Sequence, residues 1–108
     1  MLMTEEQPIH AFDAKPTKTI LELARTFPCL DIKLRRWNPR EFDSDNFAAM
    51  MSGWSHGEKL CGLFVLNVWD PERAKTMGWN FNVFDFVGTS DSESRTALIH
   101  WVCHPVWP

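Results

Sequence analysis

Ser55-His56-Gly57-Glu58-Lys59-Leu60-Cys61-Gly62-Leu63-Phe64-Val65-Leu66-Asn67-Val68-Trp69 is the stretch on which the fold turns. Ser55 and Glu58 have the S-x-x-E spacing of a capping box, in which each side chain satisfies the other residue's backbone N–H at a helix start. Leu60, Cys61, Leu63, Phe64, Val65, Leu66, Val68 and Trp69 then cover nearly every side of a helical wheel. A helix apolar all round is a buried one. The spacing therefore predicts a central helix over 58–69, with Gly62 leaving room for a neighbour's backbone. The competing reading is a central strand from Leu63 to Val68. The cap and the length of the apolar segment favour helix.

Immediately downstream, Asp70-Pro71 reads as an N-cap followed by an N1 proline, a strong local way to start a helix. A short helix over 71–76, closed by Gly78, is expected. The segment Leu66-Asn67-Val68-Trp69-Asp70-Pro71 echoes Leu34-Arg35-Arg36-Trp37-Asn38-Pro39. Both are read as corners that start a helix, each with its Trp packed in the bend. On that reading Asn38 and Pro39 open a helix, Glu41 adds a cap-like spacing, and Phe47, Ala48, Met50, Met51 and Trp54 continue it until Gly53 ends it near its C′ position. Two copies of a six-residue pattern indicate convergent use of one corner better than an internal duplication.

Further upstream, Ile20, Leu21, Leu23, Ala24 and Phe27 form one apolar stripe at helical spacing. Thr19 and Glu22 resemble a capping box, and Pro28 stops the helix. Residues 1–15 lack such a period and read as a loosely ordered N-terminal arm ahead of a single helical domain over 16–108. Toward the C-terminus, Ser90 and Glu93 form a third capping box that opens a helix from Asp91 to about Cys103. Trp107 is expected to dock back onto the body. Residues 79–88 are the ambiguous stretch. Phe81, Val83, Asp85 and Val87 alternate with Asn82, Phe84 and Phe86, and neither set is cleanly polar. The segment reads as irregular or one short helical turn. The expected fold is thus all-α, a compact single-domain bundle of five or six short helices. The alternative is α+β, with a short strand pair near 63–68 and 81–87.

Bulk composition narrows the class. The chain has 108 residues, 44% apolar and 23% charged, with a net charge of −3. These are globular values. The longest apolar run, Leu63 to Leu66, is far short of the ~20 residues of a membrane span. No secretory signal is readable at the start. Three cysteines, widely spaced and without a C-x-x-C, argue against a disulfide framework and for a reducing cytoplasm. The aromatic usage stands out, with six Trp, eight Phe and no Tyr. A domain of this size cannot hide every indole, because each is large and its N–H needs a partner.

Several clusters bear on chemistry. His100, Cys103 and His104 stand at i, i+3 and i+4, on one ~100° arc of a helix. Two imidazoles and a thiolate are legitimate zinc ligands, with His56, Cys61 or Glu93 as candidates for a fourth, but no second ligand pair with metal spacing exists elsewhere. Histidine near a helix C-terminus is also favoured by the macrodipole alone. Cys61 lies in the most apolar segment, where a thiol is inert packing. Cys103 beside two histidines is the candidate activated thiol. Asp85 amid Phe81, Phe84 and Phe86 is either a partly buried acid with a raised pKa or, in the favoured reading, a turn or surface residue. Lys33, Arg35, Arg36 and Arg40 surround Trp37, but the neighbouring acids Glu41, Asp43 and Asp45 make a paired, solvated face the better reading than a nucleic-acid footprint.

No residue set supplies a nucleophile, a base and an oxyanion or metal partner together. The expectation is a small non-enzymatic interaction protein, of adaptor or inhibitor type, that binds a protein partner or itself through Trp37, Arg35, Arg36, Met50 and Trp54, residue types enriched at interface cores. No cofactor is expected. The alternative is a metal- or small-molecule-binding protein built around His100, Cys103 and His104, with zinc as the metal.

Overall fold

The structure is a computed structural model and describes residues 14–108. Among these residues are seven α-helices, a 3₁₀ turn and no strand: α1 (Ala14–Arg25), α2 (Pro28–Lys33), α3 (Ser44–Met50), the 3₁₀ turn (Met51–Gly53), α4 (His56–Trp69), α5 (Pro71–Met77), α6 (Val83–Thr89) and α7 (Ser92–Cys103). The all-α bundle is as expected, and the strand pair near 63–68 and 81–87 is excluded because 63–68 lies within α4 and 83–87 within α6. No described helix is long and apolar enough to cross a membrane.

α4 is the axis. Its capping box is closed in both directions: the Glu58 N–H donates to Ser55 Oγ at 3.2 Å, and the Ser55 N–H donates to Glu58 Oε1 at 2.9 Å. Leu60, Cys61, Gly62, Phe64, Val65, Leu66 and Val68 are buried, and α1, α2, α3, α5 and α6 all pack against this helix. Phe27, fully buried, joins the segment after α1 to α4 and α6, with ring centroids 5.6 Å from Phe64 and 6.4 Å from Phe86. Gly62 admits side chains rather than a backbone. A Cβ there would sit 2.7 Å from Met51 Sδ and 3.2 Å from Trp54 Cζ3.

Eleven of the described aromatic residues form two clusters, each with a member on α4. Phe64, Phe27, Phe81, Phe86, Trp101 and Trp107 form one. Trp37, Phe42, Phe47, Trp54 and Trp69 form the other. The Trp of each Asx-Pro segment packs on the same ring, Phe42, at 5.9 Å for Trp37 and 4.7 Å for Trp69.

Local signals fared unevenly. The Asp70 corner is built as expected: Asp70 Oδ1 accepts from the Arg73 N–H at 3.0 Å, Pro71 opens α5, and Gly78 closes it in the left-handed region at φ 76°. Asp70→Ala is expected to lower stability by ~0.5–2 kcal/mol in a denaturant melt, because Pro71 fixes φ but supplies no acceptor for that N–H. Asn38-Pro39 starts no helix. Residues 37–43 are non-helical, and α3 begins at Ser44 with Asp43 as its cap. Asp43 wins because its carboxylate accepts from both the Asp45 and Asn46 N–H groups. The helix expected to run on to Trp54 ends at Met50, where the 3₁₀ turn breaks the i, i+4 register between Met50 and Trp54. Thr19 caps nothing. It lies inside α1, its hydroxyl donating to the Lys15 carbonyl. Pro28 opens α2 as well as following α1. Ser90 ends α6, donating to the Phe86 carbonyl at 2.7 Å, and the cap of α7 is Asp91, one residue later than expected. Seven helices stand against the five or six expected: α2 is additional, and the stretch 79–88, expected to be irregular or one short helical turn, carries α6 over Val83–Thr89. Of the expected N-terminal arm, residues 1–13 lie outside the described residues, and Ala14 and Lys15 already belong to α1.

Candidate functional site

Five of the six Trp are consumed by the two clusters, and Trp79 is half-buried against the same core. Trp107 docks back as expected: its ring meets Trp101 at 5.0 Å, while Trp101 Nε1 donates to the Val106 carbonyl at 3.1 Å. Trp107 is nonetheless 61% exposed, and the most exposed aromatic among the described residues is Phe84. It is 84% exposed, and the structure gives it no ring partner among the described residues.

Phe84 stands on α6. Asn82 caps that helix, its side chain accepting from the Asp85 N–H at 3.0 Å. Phe86 is fully buried and anchors it against Phe27 and Phe81. With each residue advancing ~100°, Val83, Val87 and Phe84 share one ~100° arc, with Phe84 roughly opposite Phe86. All three are exposed. On the flank, Asp85 Oδ2 lies 3.0 Å from His56 Nε2, and Thr89 Oγ1 donates to Asp85 Oδ1 at 3.1 Å. The hydrogen bond from His56, then that from Thr89, hold the Asp85 carboxyl below its ordinary range. The raised-pKa alternative for Asp85 is thereby overturned: the side chain lies at the surface, where water and two donors favour the charged form. The arrangement is a short helix fixed at both ends and on two sides that presents Val83, Phe84 and Val87 to solvent.

The residues singled out from sequence are distributed differently. Arg35 and Arg36 are exposed. Trp37 is half-buried between Phe42 and Phe47, and Arg25 Nη2 donates to its carbonyl at 3.0 Å. Trp54 packs edge-on against Phe47 at 5.9 Å, and Met50 is half-buried beside the core. Of this set, the three apolar members are core-facing, and the structure does not gather them into an exposed patch. The basic and acidic residues nearby find partners further off: Lys33 pairs with Glu58 at 3.6 Å and Asp45 with Arg73 at 2.8 Å.

His100 and His104 do come together, with ring centroids 5.2 Å apart. With Glu22, Trp101 and Val106 they line a cleft of about 170 Å³ between α1 and α7. Cys103 is exposed and is not part of that lining. Among the described residues no group of three His, Cys, Asp or Glu is placed to hold a metal ion. His100 and His104 share the cleft with Glu22 of α1, whereas Cys103 lies outside it, so the three residues of the i, i+3, i+4 set are not gathered at one point.

No protein family matches the chain, nor does any curated protein or solved structure.

Proposed function

We propose that this chain is a small non-enzymatic interaction protein that binds through the outer face of α6, and that its first partner is a second copy of itself. The observation that carries the reading is Phe84, a large aromatic side chain at 84% exposure on a helix otherwise locked in place. Holding a bulky apolar group in water loses the ~1.5–3 kcal/mol that its burial would contribute. A rigid helix also loses little further entropy when it docks. The chemistry of the face suits its own copy. Its centre is apolar, and the nearest carboxylate, Asp85, is already engaged by His56 and Thr89. A twofold pairing brings Phe84 against the Val83 and Val87 of a second copy without setting free charges against each other. The proposed partner class is thus protein rather than nucleic acid, and three free thiols fit a reducing, cytoplasmic setting.

Three side chains on one short helix fall below the ~1,200–2,000 Å² of a stable interface, so the association is weak and dynamic. Within such a contact a central aromatic carries most of the affinity. Sedimentation velocity over a concentration series tests this. The parent is expected to show a rising weight-average mass, and Phe84→Asp a monomer at every concentration, with equal melting temperatures. A parent that stays monomeric throughout, or a Phe84→Asp chain that associates as the parent does, overturns the proposal.

A further inference from the structure

Two of the three cysteines, remote in sequence, meet inside the fold. Cys29 on α2 and Cys61 on α4 have their sulfurs 3.8 Å apart. Cys61 is 1% exposed, whereas Cys29 is only half-buried. Ser94 of α7, 2% exposed, is a polar neighbour of both thiols and lowers each of them. Three helices therefore converge on a small polar cluster in an otherwise apolar core. From this placement we infer that Cys29 and Cys61 are a peroxide-reactive dithiol, in which Cys29 is the attacking sulfur and Cys61 the resolving one, closing a reversible disulfide between α2 and α4.

The two sulfurs differ in the way such a pair requires. Once Cys29 is ionised the Cys61 S–H becomes its donor across the 3.8 Å contact, and this, with Ser94 nearby, lowers the Cys29 thiol to about 7 against the opposing effect of burial. Near neutrality a large share of it is thiolate, the nucleophilic form. Cys61 is pushed up, first by that same hydrogen bond to Cys29 and then by burial. It stays protonated while Cys29 carries the charge. The thiolate of Cys29 attacks one oxygen of hydrogen peroxide. The O–O bond breaks, hydroxide leaves and takes up a proton to become water, and Cys29 becomes a sulfenic acid. The negative charge that held the Cys61 proton is then gone. The Cys61 sulfur displaces the sulfenic hydroxyl, which leaves as a second water with the Cys61 proton. One peroxide is reduced to two waters, and two thiols are oxidised to one disulfide. Closing the gap from contact distance to a bond of ~2.05 Å requires about 1.8 Å of sulfur movement, within reach of χ1 rotation on the two side chains. Cys103 is exposed and stands apart from the pair.

The test uses the full chain carrying Cys103→Ser, treated with one equivalent of hydrogen peroxide at pH 7. The expected product is a monomer whose intact mass has fallen by about 2 Da for two hydrogens lost, with Cys29 and Cys61 linked on peptide mapping, the mass restored by dithiothreitol, and the melting temperature raised by the cross-link. A brief limiting pulse of iodoacetamide on the reduced protein is expected to label Cys29 well ahead of Cys61. Cys29→Ser in the same background is expected to abolish the mass loss. Sulfinic acid accumulating at Cys29, disulfides between chains, preferential labelling of Cys61, or a disulfide that lowers the melting temperature would each overturn the assignment.

Discussion

Phe64→Ala is expected to lower stability by ~3–5 kcal/mol, the range for a buried phenylalanine cut to a methyl group. The ring is 6% exposed and sits at the centre of the larger aromatic cluster, 5.6 Å from Phe27, 5.4 Å from Phe81 and 5.1 Å from Trp101. Its loss removes edge-to-face contacts with three partners as well as apolar burial. The link between α1 and α2, α6 and α7 meet around Phe64 through Phe27, Phe86 and Trp101, so they cannot all close on the cavity without losing contacts elsewhere. Ordinary domains are stable by ~5–15 kcal/mol, so the variant is at or near the threshold of folding. A circular dichroism melt reads the result as a fall of roughly 15–30 °C, since each kcal/mol moves a domain of this size by ~4–8 °C. Phe64→Leu, which keeps most of the volume, is expected to cost less than ~1.5 kcal/mol. A Phe64→Ala melt superimposed on the parent's would show that α4 is not the core.

Trp54→Ala carries the second large effect, and it bears on function. The indole packs on Phe47 and closes over Gly62, so removing it opens a cavity beside α4. Because Trp54 is half-buried, the expected loss is about 2–3 kcal/mol, below the ~3–5 of a fully buried ring. The melting temperature is expected to fall while the sedimenting mass at each concentration stays as in the parent. Phe84→Asp gives the opposite pattern. Association lost at Trp54→Ala with an unchanged melt would return the interface to the Trp54 side and remove the argument for α6.

The difference between these two residues could not be read from their sequence neighbourhoods. Met50 and Trp54 have interface spacing only if α3 runs through both, and the 3₁₀ turn at Met51–Gly53 ends that register. Phe84 was submerged in an alternating run of Phe, Val and Asn that fits strand and helix equally. One local signal was available there. Asn82 at an N-cap with an acid at Asp85 marks a helix start and places Phe84 opposite Phe86. The Cys29–Cys61 pair had no such signal, because nothing local relates two cysteines brought together by packing of α2 on α4.

What the sequence determined by itself was whatever depends on near neighbours along the chain. The Ser55/Glu58 box, the Asp70-Pro71 corner and Gly78 each satisfy or free backbone groups within four residues, and the all-round apolarity of 60–69 requires burial whatever surrounds it. Tertiary structure decided where equal local claims competed. Asn38-Pro39 and Asp70-Pro71 carry similar signals, but only the second starts a helix, because Trp37 and Phe42 pack into one cluster across a non-helical 37–43 while Asp43 takes the cap. It also decided which aromatics are core. Fourteen Trp and Phe residues are chemically alike in their preference for burial, and only the packing of seven helices fixes that Trp37, Trp54 and Trp69 fill one cluster while Phe84 is left outside. Burial is a property of the whole surface, so no window of sequence contains it.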